Sequence, residues 1–343
     1  MSAVSTRPNL SAAAEHDELR RTVRQFLADM PTVRSVMDAT EGFDRATWRR
    51  MAEQIGLQAL LVPERYEGLG QGAVEANVVF EEMGRALYSG PYFASAALAV
   101  YILLCSGDEA ACRDLLPGIA AGTTIATAAL DGSSAPVLHG HVADLLLVTD
   151  GTTLFAVDSG IQAQPIDTLD LTRKLATVKF DRGSARRVGK EGDAPKTIAA
   201  ATDRALVCLA AEEAGGAARC LEMSVAYAKQ REQFGRPIGS FQAIAHRCVE
   251  MLQRVEFARA AARYAASCLD EETSEVPITA RVAAAYYGQA YRWVASESIQ
   301  VHGGIGFTWE HDAHLHYRRA WADEALLGTT DQHYMAIADR LGL

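Results

Sequence analysis

The sequence predicts an α+β protein in three consecutive parts: a helical domain over 1–122, a small β domain over 123–195 and a four-helix bundle over 196–343. Three observations carry this reading. Residues 11–122 place apolar side chains at helical spacing. From Thr123 to about Lys190 the composition turns to Thr, Val, Leu, Gly and Asp, in strand-length runs between turn residues. From about Thr197 helical periodicity returns and holds to the end. There is no internal repeat and no low-complexity tract.

In the first part, "EHDELRRTVRQFLADM" puts Leu19, Val23, Phe26, Leu27 and Met30 on one helical face. "DRATWRRMAEQIGL" follows, with Asp44 as the expected N-cap. "LVPERYEGLGQGAVEANVVFEEMGRAL" is a Gly-rich loop feeding an amphipathic helix. "SAALAVYILLCSG" is apolar nearly all round and predicts a buried helix. In the second part, "DLLLVTDG", "TTLFAVD" and "ATVKFD" read as strands, and "DRGSARRVGKEGDAPK" as a linker or surface loop. In the third, a long helix ends near Gln230, two more cover "FQAIAHRCVEMLQRVEFARAAARYAASCL" and "ITARVAAAYYGQAYRWVASESIQVHG", and the last stretch supplies a helix pair.

Composition narrows the function. Hydrophobic residues are 49% and charged residues 22%, ordinary for a globular protein, and the net charge is −10. That balance argues against a nucleic-acid partner or an anionic membrane surface. The N-terminus has no apolar signal region and no run is long enough to span a bilayer, so a cytoplasmic protein is expected. Six cysteines without a Cys-x-x-Cys pair are expected to be reduced thiols. His302, His311, His314 and His316 lack an acidic pattern that would make a ligand set, so no metal site is expected.

Two stretches stand out. In "YAKQREQFGRPIGSFQAIAHR" two Gly and a Pro break one helix and start another. Arg231, Gln233, Phe234, Arg236, Gln242 and His246 surround the break. Arg offers a planar fork that matches a pair of phosphate oxygens, and Gly lets backbone approach closely. One reading is a site for a phosphate-plus-ring ligand; the other is an ordinary turn with solvated arginines and one packed Phe. The second stretch, "SIQVHGGIGFTWEHDAHLHYRRA", ends a helix at a Gly-rich bend. It is either an anion cradle or a simple Gly C-cap.

Together, in this order within a C-terminal bundle, these two stretches resemble the acyl-CoA dehydrogenases. "LVPERYEGLGQGAVEANVVFEEMGRAL" resembles that family's N-terminal domain and "LDLTRKLATVKFD" the late strands of its middle domain. The resemblance implies FAD as cofactor, an acyl-CoA thioester as substrate, and α,β-dehydrogenation. It implies that Arg231, Gln233 and Phe234, with Gln300, Gly303 and Gly304, contact the ADP half of an FAD held by a neighbouring subunit. It places Thr329 and Asp331 among the cofactor contacts as well. It also implies a dimer or tetramer, with itself or with a homologous subunit, and an electron-transfer flavoprotein as acceptor.

The sequence departs from the family at the chemistry. The reaction needs a carboxylate base for the α-proton. Many members have Glu before a Gly-Thr; here Leu327 precedes Gly328-Thr329. Others carry it near the start of the first bundle helix; that position here is Ala205. Glu212, beside Glu213 in "LAAEEAGG", is the remaining candidate base, weighed against a structural or helix-surface carboxylate, and Glu324 a weaker one. Where most members have polar flavin-ring contacts, "ATAALDGSSAPVLHG" places Ala128, Ala129 and Leu130. The expectation is the non-base subunit of a hetero-oligomeric dehydrogenase. The alternatives are a self-sufficient enzyme using Glu212 and a dehydrogenase-derived binding protein without flavin chemistry.

Overall fold

The structure, a computed structural model, describes residues 14–130 and 136–343. The first thirteen residues and the "DGSSA" part of the middle-domain stretch lie outside it. The N-terminal part contains α1 (Ala14–Ala28), α2 (Val33–Val36), α3 (Arg45–Arg50), α4 (Ala73–Arg85), α5 (Val100–Cys105) and α6 (Glu109–Ala120). α1 buries Val23 and Phe26, the centre of its apolar face. Asp44 caps α3 by accepting the Thr47 N–H at 2.8 Å. The apolar run leading into α5 is buried all round and begins as a π-helical segment, Phe93–Ala99.

The β domain holds β1 (Ala126–Ala129), β2 (Val137–Leu138), β3 (Leu145–Thr149), β4 (Leu154–Val157), β5 (Gln162–Ile166), β6 (Leu175–Lys179) and β7 (Arg186–Val188). They form two small sheets, ordered β1-β3-β4-β7 and β2-β6-β5. β1 runs parallel to β3, with Ala126 opposite Leu145; the other pairs are antiparallel. β7 corrects the reading of "DRGSARRVGKEGDAPK" as linker or loop. Its three residues pair with β4, but two are exposed arginines and show no apolar alternation.

The bundle has three long helices, α7 (Ala194–Gln230), α8 (Gln242–Asp270) and α9 (Val276–His302), completed by α10 (Ala313–Asp323) and α11 (Thr330–Leu341). α7 and α9 run parallel. Asp203 meets Arg281 near their starts, Ser224 meets Ser298, and Tyr227 stacks on His302 near their ends. α4 crosses α7 at backbone contact. A Cβ on Gly215 would lie 1.8 Å from the Glu81 carbonyl oxygen, and one on Gly84 would lie 1.8 Å from that of Glu212. Gly215 of "LAAEEAGG" and Gly84 therefore permit the crossing. One apolar core, including Phe80, Ile102, Leu145, Leu206 and Tyr287, joins all three parts. Among the described residues no helix is long and apolar enough to cross a membrane, and all six cysteines are free thiols.

Candidate functional site

The break after α7 is a hairpin, where the sequence suggested only a turn between helices. β8 (Glu232–Gln233) pairs with β9 (Arg236–Pro237), and the Ile238 N–H donates to the Arg231 carbonyl at 2.8 Å. Two-residue strands are too short to show a period. The tip is Phe234–Gly235, both at positive φ, 53° and 76°. That is the backbone of a type I′ turn, which favours Asn or Gly first. A bulky aromatic in this region is costly, yet Phe234 stands there with 92% of its surface exposed. Its ring meets the edge of Phe241 at 6.1 Å, and Arg236 lies over that same ring at 4.1 Å. Arg231 and Gln233 are exposed. Among the described residues, none pairs with the Arg231 guanidinium.

The end of α9 faces the same way, because Tyr227 and His302 stack at 4.7 Å. Gly303 has φ 63° and ψ −141°, a conformation that only glycine adopts easily. A Cβ on Gly303 or Gly304 would meet nothing within 4 Å, so the space before them is open. Gln300, Ile305, Phe307 and Trp309 are exposed around it. His302 itself is buried and donates from Nδ1 to the Ser298 carbonyl at 2.7 Å. Arg231, Gln233, Phe234, Gln300, Gly303 and Gly304 thus share one outward end of the bundle.

Thr329 and Asp331 are elsewhere. Thr329 caps α11, its Oγ1 accepting the Gln332 N–H, and Asp331 follows in the first turn; both are exposed. α11 lies along the early halves of α7 and α9, where His333 meets Arg281 and Arg340 meets Asp203. Arg281 is some 30 Å from the far end of α9 at 1.5 Å per residue. Within one chain, these two residues are not brought to the corner.

Both positions that would carry a base are apolar and lie in or against the core. Ala205 is fully buried, and Leu327 packs, half-buried, against the same cluster. Glu324 is tied to Arg292 at 2.7 Å. Glu212 is buried between two guanidinium groups: Arg173 and Arg319 each donate to its Oε1 at 2.6 Å. Arg319 also donates to Asp170 Oδ2 at 2.7 Å, to Thr172 Oγ1 at 2.5 Å, and to the carbonyls of Tyr88 and Thr172 at 3.1 Å. Arg173 pairs with Asp323 at 3.0 Å and lies over the Phe93 ring at 5.6 Å. Burial pushes the Asp323 carboxyl up to about 7, against the opposing pull of Arg173 and Arg319. Glu213 is likewise raised well above the carboxylate range, by burial first and then by the charges of Asp323 and Glu212. Sequence reasoning did not find Asp170, Thr172, Arg173, Arg319 or Asp323. The only signal was charge within apolar-periodic or strand-like runs, as in "LDLTRK" and "HYRRAWADE".

Helical, β and helical parts in this order, with this corner on the bundle, define an acyl-CoA dehydrogenase architecture. The model of the acyl-CoA dehydrogenase N-terminal domain matches residues 13–123 and that of the C-terminal domain matches 197–342. The chain belongs to the acyl-CoA dehydrogenase family, whose members are FAD flavoproteins. It is 37% identical to acyl-CoA dehydrogenase IpdE2 of Mycolicibacterium smegmatis over 317 residues, covering 92% of this chain and 94% of that one. Two solved structures are similar. One is a variant of the Tcur3481–Tcur3483 steroid ACAD (TM-score 0.85, 27% identity, 96% of this chain and 98% of that chain). The other is the ChsE4–ChsE5 complex from Mycobacterium tuberculosis (TM-score 0.86, 26% identity, 97% and 99%).

Proposed function

We propose that this chain is the non-base subunit of an FAD-dependent acyl-CoA dehydrogenase. It completes the ADP half of a flavin site on a homologous subunit, which supplies the flavin-ring contacts and the base. One observation carries the reading: the corner is open and, among the described residues, its Arg231 guanidinium is unpaired, while Ala205 lies in the apolar core and Leu327 packs against it.

The corner's residues fit an ADP group. The unpaired Arg231 fork matches pyrophosphate oxygens. Gly303 and Gly304 leave room for close approach, and the exposed Phe234 offers a face to an aromatic ring. Bound there, FAD supplies the hydride acceptor for α,β-dehydrogenation. This chain's part is to hold and orient: charge at Arg231, an amide at Gln233 and Gln300, and a ring at Phe234. Two neighbours whose names join two proteins support assembly with a homologous subunit. The steroid description of one of them supports a bulky acyl group.

Expression alone and with the homologous subunit tests the proposal. Flavin and turnover are expected only from the pair. An isolated chain that is yellow and turns over an acyl-CoA would refute it. Arg231→Ala in the pair removes a charge-assisted contact worth about 1.5–3 kcal/mol. FAD affinity is expected to fall by about tenfold or more, read as flavin occupancy at limiting FAD. Equal occupancy in variant and parent would remove Arg231 from the site.

Glu212 separates this reading from a self-sufficient enzyme. Two guanidinium groups hold Glu212 Oε1, and the carboxylate is buried beside a void of only about 10 Å³. Glu212→Gln is expected to leave turnover per folded complex within about threefold, where loss of a general base costs on the order of 10²–10⁴-fold. A loss of that size with flavin absorbance intact would make Glu212 the base.

A further inference from the structure

Resting on the reading above for what the partner does, we propose that Asp170, Arg173, Glu212 and Arg319 form a joint that closes this chain's own inter-domain cleft. It holds the β domain against the bundle and admits no acyl thioester there. Four elements meet at this point: the segment after α4, the turn between β5 and β6, the middle of α7, and α10. Arg319 binds three of them, through the Tyr88 carbonyl, Asp170 with Thr172, and Glu212. Arg173 adds Asp323 of α10. The side chains of Arg319, Asp170, Arg173 and Glu212 are all at most 8% exposed.

What remains between them is a void of about 10 Å³, walled by Phe80, Met83, Tyr92, Phe93 and Arg173. A single water needs about that much; a row of methylenes needs far more. The walls do not part cheaply. Phe80 packs on Tyr92 at 5.1 Å and on Phe93 at 6.2 Å, and Phe93 lies under Arg173. Opening the cleft would separate buried charges from their partners, which leaves them uncompensated in the interior. No acyl chain therefore enters this chain at the joint.

The joint is testable by hydrogen exchange on the full chain, alone and in the reconstituted pair. A linear probe, octanoyl-CoA, and a ring-bearing probe, cholyl-CoA, are expected to leave exchange in segments 88–93 and 168–174 unchanged. Asp170→Asn should raise exchange in both segments by about tenfold, since it weakens one tie of a local opening unit. KM for the thioester and kcat of the pair should stay as in the parent. Thr172→Val serves as the second variant should Asp170→Asn fail to fold. Protection of either segment by either probe overturns the proposal, as does unchanged exchange in a folded variant. Failure of the subunit reading would show separately, as absent flavin or turnover in the pair.

Discussion

Arg319→Ala is expected to destabilise the chain by about 3–5 kcal/mol, the cost of removing one partner from a buried ion cluster. The size follows from what is left behind. Asp170 and Glu212 each lose a charged donor, and the carbonyls of Tyr88 and Thr172 lose a hydrogen bond. Burial does not offset this, because the carboxylates stay in the interior with less countercharge. Water entering the space vacated by the side chain restores hydrogen bonds but not the positive charge the buried carboxylates lose. The same argument predicts non-additivity. In Arg319→Ala with Asp170→Asn, one of the stranded charges is gone. The double variant should be less destabilised than the sum, by about 0.5–3 kcal/mol. Urea unfolding of the four proteins measures this. A loss under about 1 kcal/mol for Arg319→Ala would mean that the cluster adds no net stability.

That cluster also marks where sequence reasoning stopped. The long helices were legible because their periodicity runs for many turns, and Asp44 because a cap is local. The six residues of the two C-terminal motifs were legible as motifs, and the structure gathers them at one end of the bundle. β7 and the β8–β9 hairpin were not legible. Two or three residues carry no period, and the Arg186–Arg187 pair looks like solvent-exposed loop. Glu212 was visible as a carboxylate in an apolar run, but its meaning depends on residues 39 and 107 positions away. Nothing at Arg173 or Arg319 says in sequence that they converge on it. The close crossing of α4 and α7 through Gly84 and Gly215 is also a long-range fact, and it sets Glu212 at the joint.

The retained and lost features point the same way. A chain that kept its own chemistry would need a carboxylate facing an open cleft. Here Ala205 lies in the core, Leu327 packs against it, Glu324 is tied to Arg292, and Glu212 Oε1 is clasped. The corner that would serve a neighbour keeps a costly exposed Phe at its tip and an uncompensated Arg. An exposed Phe and, among the described residues, an unpaired Arg outside, with apolar base positions within, fit the proposed completing subunit.

Raising the pH from about 5 to 8 is expected to weaken the parent chain more than Asp323→Asn. The joint and its neighbours hold Asp170, Glu212, Glu213 and Asp323 against two guanidinium groups, Arg173 and Arg319, so full ionisation would leave it two charges negative. Burial accordingly raises Asp323 to about 7 and Glu213 well above its usual range. The sign follows. A carboxyl whose folded value lies above its unfolded value, near 3.9, binds its proton more tightly in the folded state. Stability from it is full below about 4 and is lost as pH climbs through about 7. At about 1.36 kcal/mol per unit, the term reaches some 4 kcal/mol as an upper bound. Asn copies the protonated acid but cannot ionise. Between pH 5 and pH 8 the variant should gain on the parent by up to about 2.7 kcal/mol, the two units from 5 to 7 at about 1.36 kcal/mol each. The difference between the two proteins isolates this group. Histidines such as His316, lowered by burial to about 3, act with the opposite sign and in both proteins alike. Urea unfolding across this range gives the two curves. Parallel curves would show that Asp323 keeps its charge and that the proton sits elsewhere in the cluster.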